Sequence, residues 1–225
     1  MAAHFLGTLT IGQAPRADIT PILNAHLPER VSLHLGVLDG LSKEEIAARF
    51  TPRPGDAVLT TRLLDGSSVV LGKPAVRVVL QEKLDLLEAH GCSLIVLLCT
   101  GEFEGLACRK AWLIEPDHLV PPVVASLVNS HQVGVVVPLP AQMNSEARKW
   151  QPLARTPLYA VASPYADGVD AVARAALELK SRGAEILLFD CMGFTERHRE
   201  VAREASGLPV LLSNALVARL LAELV

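Results

Sequence analysis

Two cysteines are placed where they could move a proton. Cys99 closes the stretch H-G-C-S-L-I-V-L-L-C (90–99), and Cys191 closes R-G-A-E-I-L-L-F-D-C (182–191). In each, a glycine (Gly91, Gly183) stands 8 positions before the cysteine, 99 − 91 and 191 − 183, and another (Gly101, Gly193) two after it. Thiols on opposite sides of a carbon acid suit removal of a proton from one face and its return to the other. One can act as base only while the other keeps its proton, so the two titrate together. A cysteine at a strand end is also a small apolar residue that packs there without chemistry. The symmetry of Cys99 and Cys191 favours the chemical reading, whereas Cys92 and Cys108 are read as structural. The backbone amides of Thr100, Gly101, Met192 and Gly193 are candidates to hold a carboxylate or enolate oxygen. Glu102 and Asp190 flank the thiols. Arg197, His198 and Arg199 follow Cys191 and would lower its pKa, making it the more ionised of the pair. His198 reads either as facing the cleft or as a solvated helix residue.

A second group of candidates lies in T-I-G-Q-A-P-R (10–16). Thr10, Gly12 and Gln13 offer a hydroxyl, a close backbone approach and an amide, and Arg16 could clamp a carboxylate with two parallel hydrogen bonds. Ser213 and Asn214 follow the last strand, where they cap a helix or face the same cleft. No metal is expected: Cys92, Cys99 and Cys108 lack the short pairs of zinc sites, and His118 and His131 show no ligand spacing.

These residues need two similar scaffolds. The cysteines are 191 − 99 = 92 positions apart, and the same offset aligns V-P-P-V-V-A-S-L-V (120–128) with L-S-N-A-L-V-A-R-L (212–220), which suggests an internal duplication. Leu94–Leu98 and Ile186–Phe189 are short continuous apolar runs, the pattern of parallel strands covered on both faces. Each follows a helical pattern closed by Gly91 or Gly183 as a cap. Further strands are predicted over Phe5–Ile11, Val31–Val37, Ala111–Ile114, Val133–Val137, Leu158–Val161 and Pro209–Leu212. A hairpin is predicted over 58–71, turning at Asp65-Gly66. Helices are predicted from Pro15 onward, over 43–50 behind a Ser42/Glu45 capping box, and over 74–90. Others are read over 105–110, from Pro121-Pro122 to Asn129, over 146–153 and 168–182, after Thr195, and over 213–225. The alternation defines an α/β fold with parallel sheets in two pseudosymmetric Rossmann-like lobes. The expected division is 1–115 plus 208–225 for the first lobe and 116–207 for the second. Both cysteines then sit past the carboxyl ends of central strands, where open α/β sheets bind ligands.

Composition narrows the function classes. Half of the 225 residues are apolar and the net charge is −3, so no basic footprint for nucleic acid is present. Mean hydropathy is +0.34, yet no run reaches the roughly 18 apolar residues of a membrane helix. The N-terminus reads as a strand and not as a signal peptide. Four cysteines, two of them in or beside strands, fit a reducing cytoplasm better than a disulfide framework. The expected partner is a small carboxylate; a homo-oligomer is left open.

The motifs T-I-G-Q-A-P-R-x-D, L-L-C-T-G-E-F, Q-V-G-V-V-V-P, D-C-M-G-F-x-x-R-H-R and P-V-L-L-S-N-A-L-V-A-R-L together resemble the AroM family over essentially the whole chain. More distantly they resemble the aspartate/glutamate/hydantoin racemase superfamily. That resemblance implies two pseudosymmetric α/β lobes around a cleft and paired cysteines that move a proton without a cofactor. It matches Cys99 and Cys191 to the catalytic thiols, and Thr10, Gly12 and Gln13 to the first ligand loop. The superfamily also includes a maleate isomerase and an arylmalonate decarboxylase. Where many racemases have Cys-Asn-Thr and Gly-Cys-Thr, this chain has Cys99-Thr100-Gly101 and Asp190-Cys191-Met192. That leaves room for one-thiol isomerase or decarboxylase chemistry. The rival implication is a non-catalytic protein whose cleft holds a metabolite, such as a shikimate-type carboxylate of aromatic amino-acid biosynthesis.

Overall fold

The computed structural model describes residues 6–27, 31–145, 148–166 and 168–225. Residues 1–5, the start of the N-terminal stretch read as non-signal, lie outside the described residues, as do Glu146 and Ala147 of the helix expected over 146–153. The chain forms, in order, β1 (Leu6–Thr10), α1 (Thr20–His26), β2 (Val31–Gly36), α2 (Lys43–Phe50), the hairpin β3 (Val58–Arg62) and β4 (Ser68–Gly72), α3 (Lys73–Ala89), β5 (Leu94–Leu98), β6 (Trp112–Ile114) and α4 (Pro116–Val128). The second half follows as β7 (Val133–Val137), α5 (Gln142–Ser145), β8 (Leu158–Val161), α6 (Val169–Ser181), β9 (Ile186–Phe189), α7 (Glu196–Ser206), β10 (Val210–Leu212) and α8 (Ser213–Leu221).

Two four-stranded sheets carry the fold, ordered β2-β1-β5-β6 and β10-β9-β7-β8, and the strands in both pair in parallel. Read from its other edge, the second sheet repeats the first: β8, β7, β9 and β10 stand where β2, β1, β5 and β6 do. β5 and β9 start 186 − 94 = 92 residues apart, but β1 and β7 start 133 − 6 = 127 apart. The difference of 35 is close to the α2–hairpin segment, which the second half lacks. This duplicated architecture is the α/β, two-lobed fold that the apolar runs implied.

Three expectations need correction. The strand in 208–225 does not join the first sheet: Val210–Leu212 pairs with β9 as the counterpart of edge strand β6. The helix after it does reach the first half, since α8 packs against α1 as well as α4. Pro15 does not open a helix. The Ala14–Pro15 bond is cis, and α1 begins five residues later at Thr20. Finally, α4 starts at Pro116 and carries Pro121 and Pro122 inside it. Each missing N–H there leaves the carbonyl four residues earlier without its helical donor. In addition, no helix forms over 105–110, and residues 148–153 are turns, the short helix lying earlier at Gln142–Ser145.

Other local signals act as sequence physics requires. Ser42 Oγ accepts from Glu45 N at 3.2 Å while Ser42 N donates to the Glu45 carboxylate at 2.8 Å, closing the capping box of α2. Gly91 and Gly183, with φ of +88° and +94°, end α3 and α6 in the left-handed conformation that favours glycine. The amides just after them return to Leu87 O and Leu179 O at 3.1 and 3.0 Å. Chains leaving the two helices therefore enter β5 and β9 in the same way. One apolar core joins β7, β9 and α6 to α4, α8, α1 and one face of the first sheet. A second core fills the other face of that sheet under α2, α3 and the hairpin.

Candidate functional site

Past the carboxyl ends of β5 and β9, Cys99 and Cys191 line one cavity. The two halves contribute Ile11, Arg16, Leu59, Thr60, Thr100 and Gly101 from one side, and Pro138, Gln142, Tyr165, Asp190 and Met192 from the other. The thiols have matching backbone partners. Gly101 N–H donates to Cys99 Sγ at 3.4 Å, and Gly193 N–H donates to Cys191 Sγ at 3.5 Å. No helix starts directly behind either cysteine, and each sulfur is held by one amide from the glycine two residues on. All four cysteines are outside any disulfide. The cavity's volume is about 20 Å³, room for roughly one water molecule. A larger space of about 410 Å³ opens between Lys73, Arg77, Phe103 and Arg148, but neither of these two cysteines lines it.

Arg16, buried to 4 % exposure, governs the Cys191 side. Its Nε and Nη2 donate to the two oxygens of Asp18 at 2.9 and 2.7 Å, its Nη1 to the hydroxyls of Thr10 and Thr61 at 3.1 Å, and its Nη2 also to Tyr165 OH at 3.0 Å. All five guanidinium N–H groups are taken. In this conformation Arg16 is not the substrate clamp expected of it; it holds Tyr165, whose ring it also faces at 5.5 Å. Burial opposes the Arg16 charge, but Tyr165 and Asp18 outweigh it and raise the pKa further. Tyr165 OH in turn lies 3.5 Å from Cys191 Sγ. Either group can donate in that contact, and the bond from Arg16 fixes the hydroxyl beside the sulfur.

Burial pushes the Cys191 thiol above its ordinary 9.0; the Tyr165 hydroxyl, the Gly193 amide and Arg16 pull the other way, and Asp190 adds to the rise. The expected agents do not reach it. Arg197 pairs with Glu200 at 3.4 Å and Arg199 with Glu196 at 3.1 Å, both along α7. His198 is buried, not solvated, and its Nδ1 accepts from Thr195 N–H at 2.9 Å, closing the start of α7. Cys191 is therefore held as a neutral thiol, opposite to the sequence expectation. The reason is burial, which outweighs the one cation acting on it, Arg16 from the other half of the chain. Burial and the nearby Cys191 keep the Tyr165 hydroxyl well above its usual range too.

The remaining candidates divide into cavity and framework. Thr100 lines the cavity and its hydroxyl donates to Asp190 O at 3.2 Å, tying the two cysteine turns together. Thr10 accepts from Gly12 N–H at 3.2 Å and from Arg16. Gly12 permits a close approach, because a Cβ there would stand 2.4 Å from Thr61 Oγ1. Gln13 bridges loops, donating to Leu38 O at 3.3 Å and accepting from Leu64 N–H at 2.9 Å. Gly193 gives Tyr165 its place: a Cβ would lie 2.3 Å from the tyrosine hydroxyl. Ser213 and Asn214 are fully buried and brace the Cys191 turn from behind. Ser213 donates to Phe189 O at 3.1 Å, and Asn214 to Met192 O and Phe194 O at 2.9 and 2.6 Å. Ser213 opens α8 as a helical residue and not as its cap.

Sequence reading missed Tyr165 and Lys149. Lys149 Nζ reaches Asp190 Oδ2 at 2.5 Å and Thr100 O at 2.7 Å, a buried ion pair directly behind both turns. Glu102, expected beside Cys99, instead faces outward and pairs with Arg148.

Comparison with known proteins follows this geometry. The chain superposes on solved two-lobed racemase-fold structures. Allantoin racemase from Klebsiella pneumoniae matches with TM-score 0.58 at 12 % identity, covering 98 % of this chain and 87 % of that one. Glutamate racemase from Francisella tularensis, in complex with D-glutamate, matches with TM-score 0.62 at 14 % identity, covering 100 % and 81 %. Unliganded arylmalonate decarboxylase matches with TM-score 0.56 at 12 % identity, covering 97 % and 92 %. The class is thus the racemase-like α/β fold. Within it, the chain belongs to the AroM family, described as "AroM protein", whose sequence profile matches residues 6–225. No curated protein matches the sequence significantly. Among the described residues, no helix is long and apolar enough to cross a membrane.

Proposed function

We propose that the protein is an enzyme that moves a proton on a small carboxylate held between its two halves, with Cys191 and Cys99 as acid and base and no cofactor required. The observation that carries this reading is the matched pair of thiols in one cavity, each at the end of an equivalent strand and each held by the amide two residues on. Cys191 is the proton donor. Burial keeps it protonated, while Tyr165, Gly193 N–H and Arg16 are arranged around its sulfur to stabilise the thiolate left once the proton has gone. Cys99 acts on the opposite face. Amides of Thr100 and Met192 supply the carboxylate contacts that Arg16, with its donors taken, and Gly101 and Gly193, whose N–H groups hold the sulfurs, do not. The names of two fold relatives, glutamate racemase and arylmalonate decarboxylase, fit chemistry at a carbon next to a carboxylate, and allantoin racemase fits the same chemistry next to a ring carbonyl. Because the cavity holds only about one water, the two halves must part to admit substrate. The protein is proposed to work in the cytoplasm, where its thiols stay reduced.

The test combines ligand screening with thiol protection. Small di- and hydroxycarboxylates are screened by thermal shift, since a ligand of the folded state raises Tm by mass action. A true substrate then slows alkylation of Cys99 and Cys191 together while leaving Cys108 unaffected. A stabilising carboxylate that protects neither thiol would place binding elsewhere and end this reading. The raised Cys191 pKa also suits a binding protein that never ionises the thiol. In that case ligand protects both sulfurs yet no bond to the bound molecule's carbon ever exchanges.

A further inference from the structure

Away from the thiols, the start of α4 gathers three metal-ligand types. One donor atom from each of Glu115, Asp117 and His118 lies within 4.8 Å of the other two. Glu115 Oε1 is 3.5 Å from His118 Nδ1, and Asp117 Oδ2 is 3.7 Å from His118 Nε2. Ligands of a bound Zn²⁺ stand about 2.0–2.2 Å from the ion and therefore roughly 3.3 Å from one another in a tetrahedral set. The carboxylates approach opposite ring nitrogens of His118, so a modest side-chain rotation would gather three donors that now lie within 4.8 Å of one another. Sequence reading passed over them because it weighed cysteine and histidine spacing alone, whereas here two of the three donors are carboxylates.

A cluster of acids alone would mean little, but Asp117 is different. Its side chain is 2 % exposed, and neither carboxylate oxygen has a hydrogen-bond partner of good geometry; Glu115 Oε2 lacks one as well. Buried carboxylates without partners are unfavourable unless they are protonated or bind a cation. The neighbouring cations are occupied: Lys149 by Asp190 and Thr100 O, and Arg148 by Glu102 and Glu104. Two carboxylates are thus left facing one imidazole, a charge that a divalent ion would balance. Asp117 and His118 line a cavity of about 80 Å³, large enough for an ion and its remaining water ligands, and His118 is 68 % exposed on its open side.

We infer that Glu115, Asp117 and His118 form a binding site for a first-row divalent metal ion. Mixed carboxylate and imidazole donors favour Zn²⁺ or Mn²⁺ over Ca²⁺ and Mg²⁺, which prefer oxygen alone. The site lies past the end of β6, at the N-terminus of α4 and beside the Lys149–Asp190 pair. The inference stands independently of the thiol chemistry.

The test uses full-length protein stripped with a chelator, then titrated with ZnCl2 by calorimetry and thermal shift. Zinc also binds thiols, so the Cys99→Ser/Cys191→Ser double variant is the reference. That variant is expected to bind one Zn²⁺ per chain at micromolar concentration or below, with a rise in Tm, while MgCl2 has no effect. His118→Ala, whose side chain is exposed and leaves the fold intact, should weaken binding at least about 100-fold, and Asp117→Asn should do the same. Overturning results are zinc binding that disappears in the double-cysteine reference, binding unchanged in His118→Ala, or no binding below millimolar concentration. If Asp117→Asn does not fold, His118→Ala alone decides.

Discussion

Replacing Arg16 by methionine should be among the most damaging single changes near the cavity, and the structure sets the size. Arg16 and Asp18 form a bidentate ion pair with side-chain exposures of 4 % and 5 %. Removing one member of such a pair leaves an uncompensated buried charge, at a cost of about 3–5 kcal/mol. Arg16→Met also removes donors to Thr10, Thr61 and Tyr165, each worth about 1 kcal/mol net. With a urea m-value of about 2 kcal/mol/M, a loss of 4 kcal/mol moves the unfolding midpoint down by about 2 M. The double variant Arg16→Met/Asp18→Asn removes the stranded charge and should be more stable than Arg16→Met alone by at least about 1 kcal/mol. Urea denaturation followed by circular dichroism measures both. If Arg16→Met unfolds within 1 kcal/mol of the wild type, or if Asp18→Asn makes it worse, the ion pair does not organise this loop as described. Should Arg16→Met fail to fold, Arg16→Lys, which keeps the charge but loses the fork, should fall between it and the wild type.

Other outcomes follow from single contacts. Alkylation of Cys191 should keep rising, about tenfold per pH unit, through pH 9 without reaching a plateau, because burial holds its pKa above the ordinary 9.0. Tyr165→Phe should slow it further at any given pH, because the hydroxyl is among the groups that pull that pKa down; equal or faster alkylation would contradict this. Gly193→Ala should displace Tyr165, costing about 1–3 kcal/mol by overpacking and releasing Arg16 from the tyrosine. Gly101→Ala, whose added Cβ meets Leu59 at 3.0 Å, should cost less, as thermal denaturation of the two variants will show. Burial lowers the His198 pKa below 6.5, so its contribution to stability is complete above that value and is lost as pH falls through the lower folded-state pKa. His198→Gln keeps an acceptor for Thr195 N–H but cannot titrate there. The difference in stability between it and the wild type should grow in the variant's favour between pH 6.5 and pH 4.5; a constant difference would be against the assignment.

The framework was legible wherever a local pattern decides structure. Leu94–Leu98, Val133–Val137, Leu158–Val161 and Ile186–Phe189 are strands with the bounds that their apolar runs indicated, because buried parallel strands are apolar on both faces. Gly91, Gly183 and the Ser42/Glu45 pair worked for the same reason: a cap needs only its own few residues. Both cysteines were found by repetition, and their shared cavity is what the duplication suggested. Contacts that cross the chain left no such trace. Tyr165 reaches Arg16 across 149 positions and Lys149 reaches Asp190 across 41. Neither has a periodic neighbour to mark it. The error in the Cys191 pKa has a similar origin: burial raises it, while the charges nearest in sequence, Arg197 and Arg199, pair along their own helix and do not offset that burial. The last strand was misplaced for a similar reason, since edge pairing with β9 depends on the symmetry of whole sheets and not on Val210–Leu212 themselves.

The central claim is that two thiols in one cavity move a proton at carbon, and hydrogen exchange reads that directly. Small carboxylates that raise Tm are incubated with the protein in D2O, and the proton on the carbon beside the carboxylate is followed by NMR. The account predicts loss of that signal, or release of CO2 with deuterium taking its place, for at least one such ligand, and neither in Cys191→Ser or Cys99→Ser. A ligand that stabilises the protein and shields both sulfurs, yet keeps its proton and its carboxylate through prolonged incubation, would contradict it. So would exchange that continues undiminished in both serine variants.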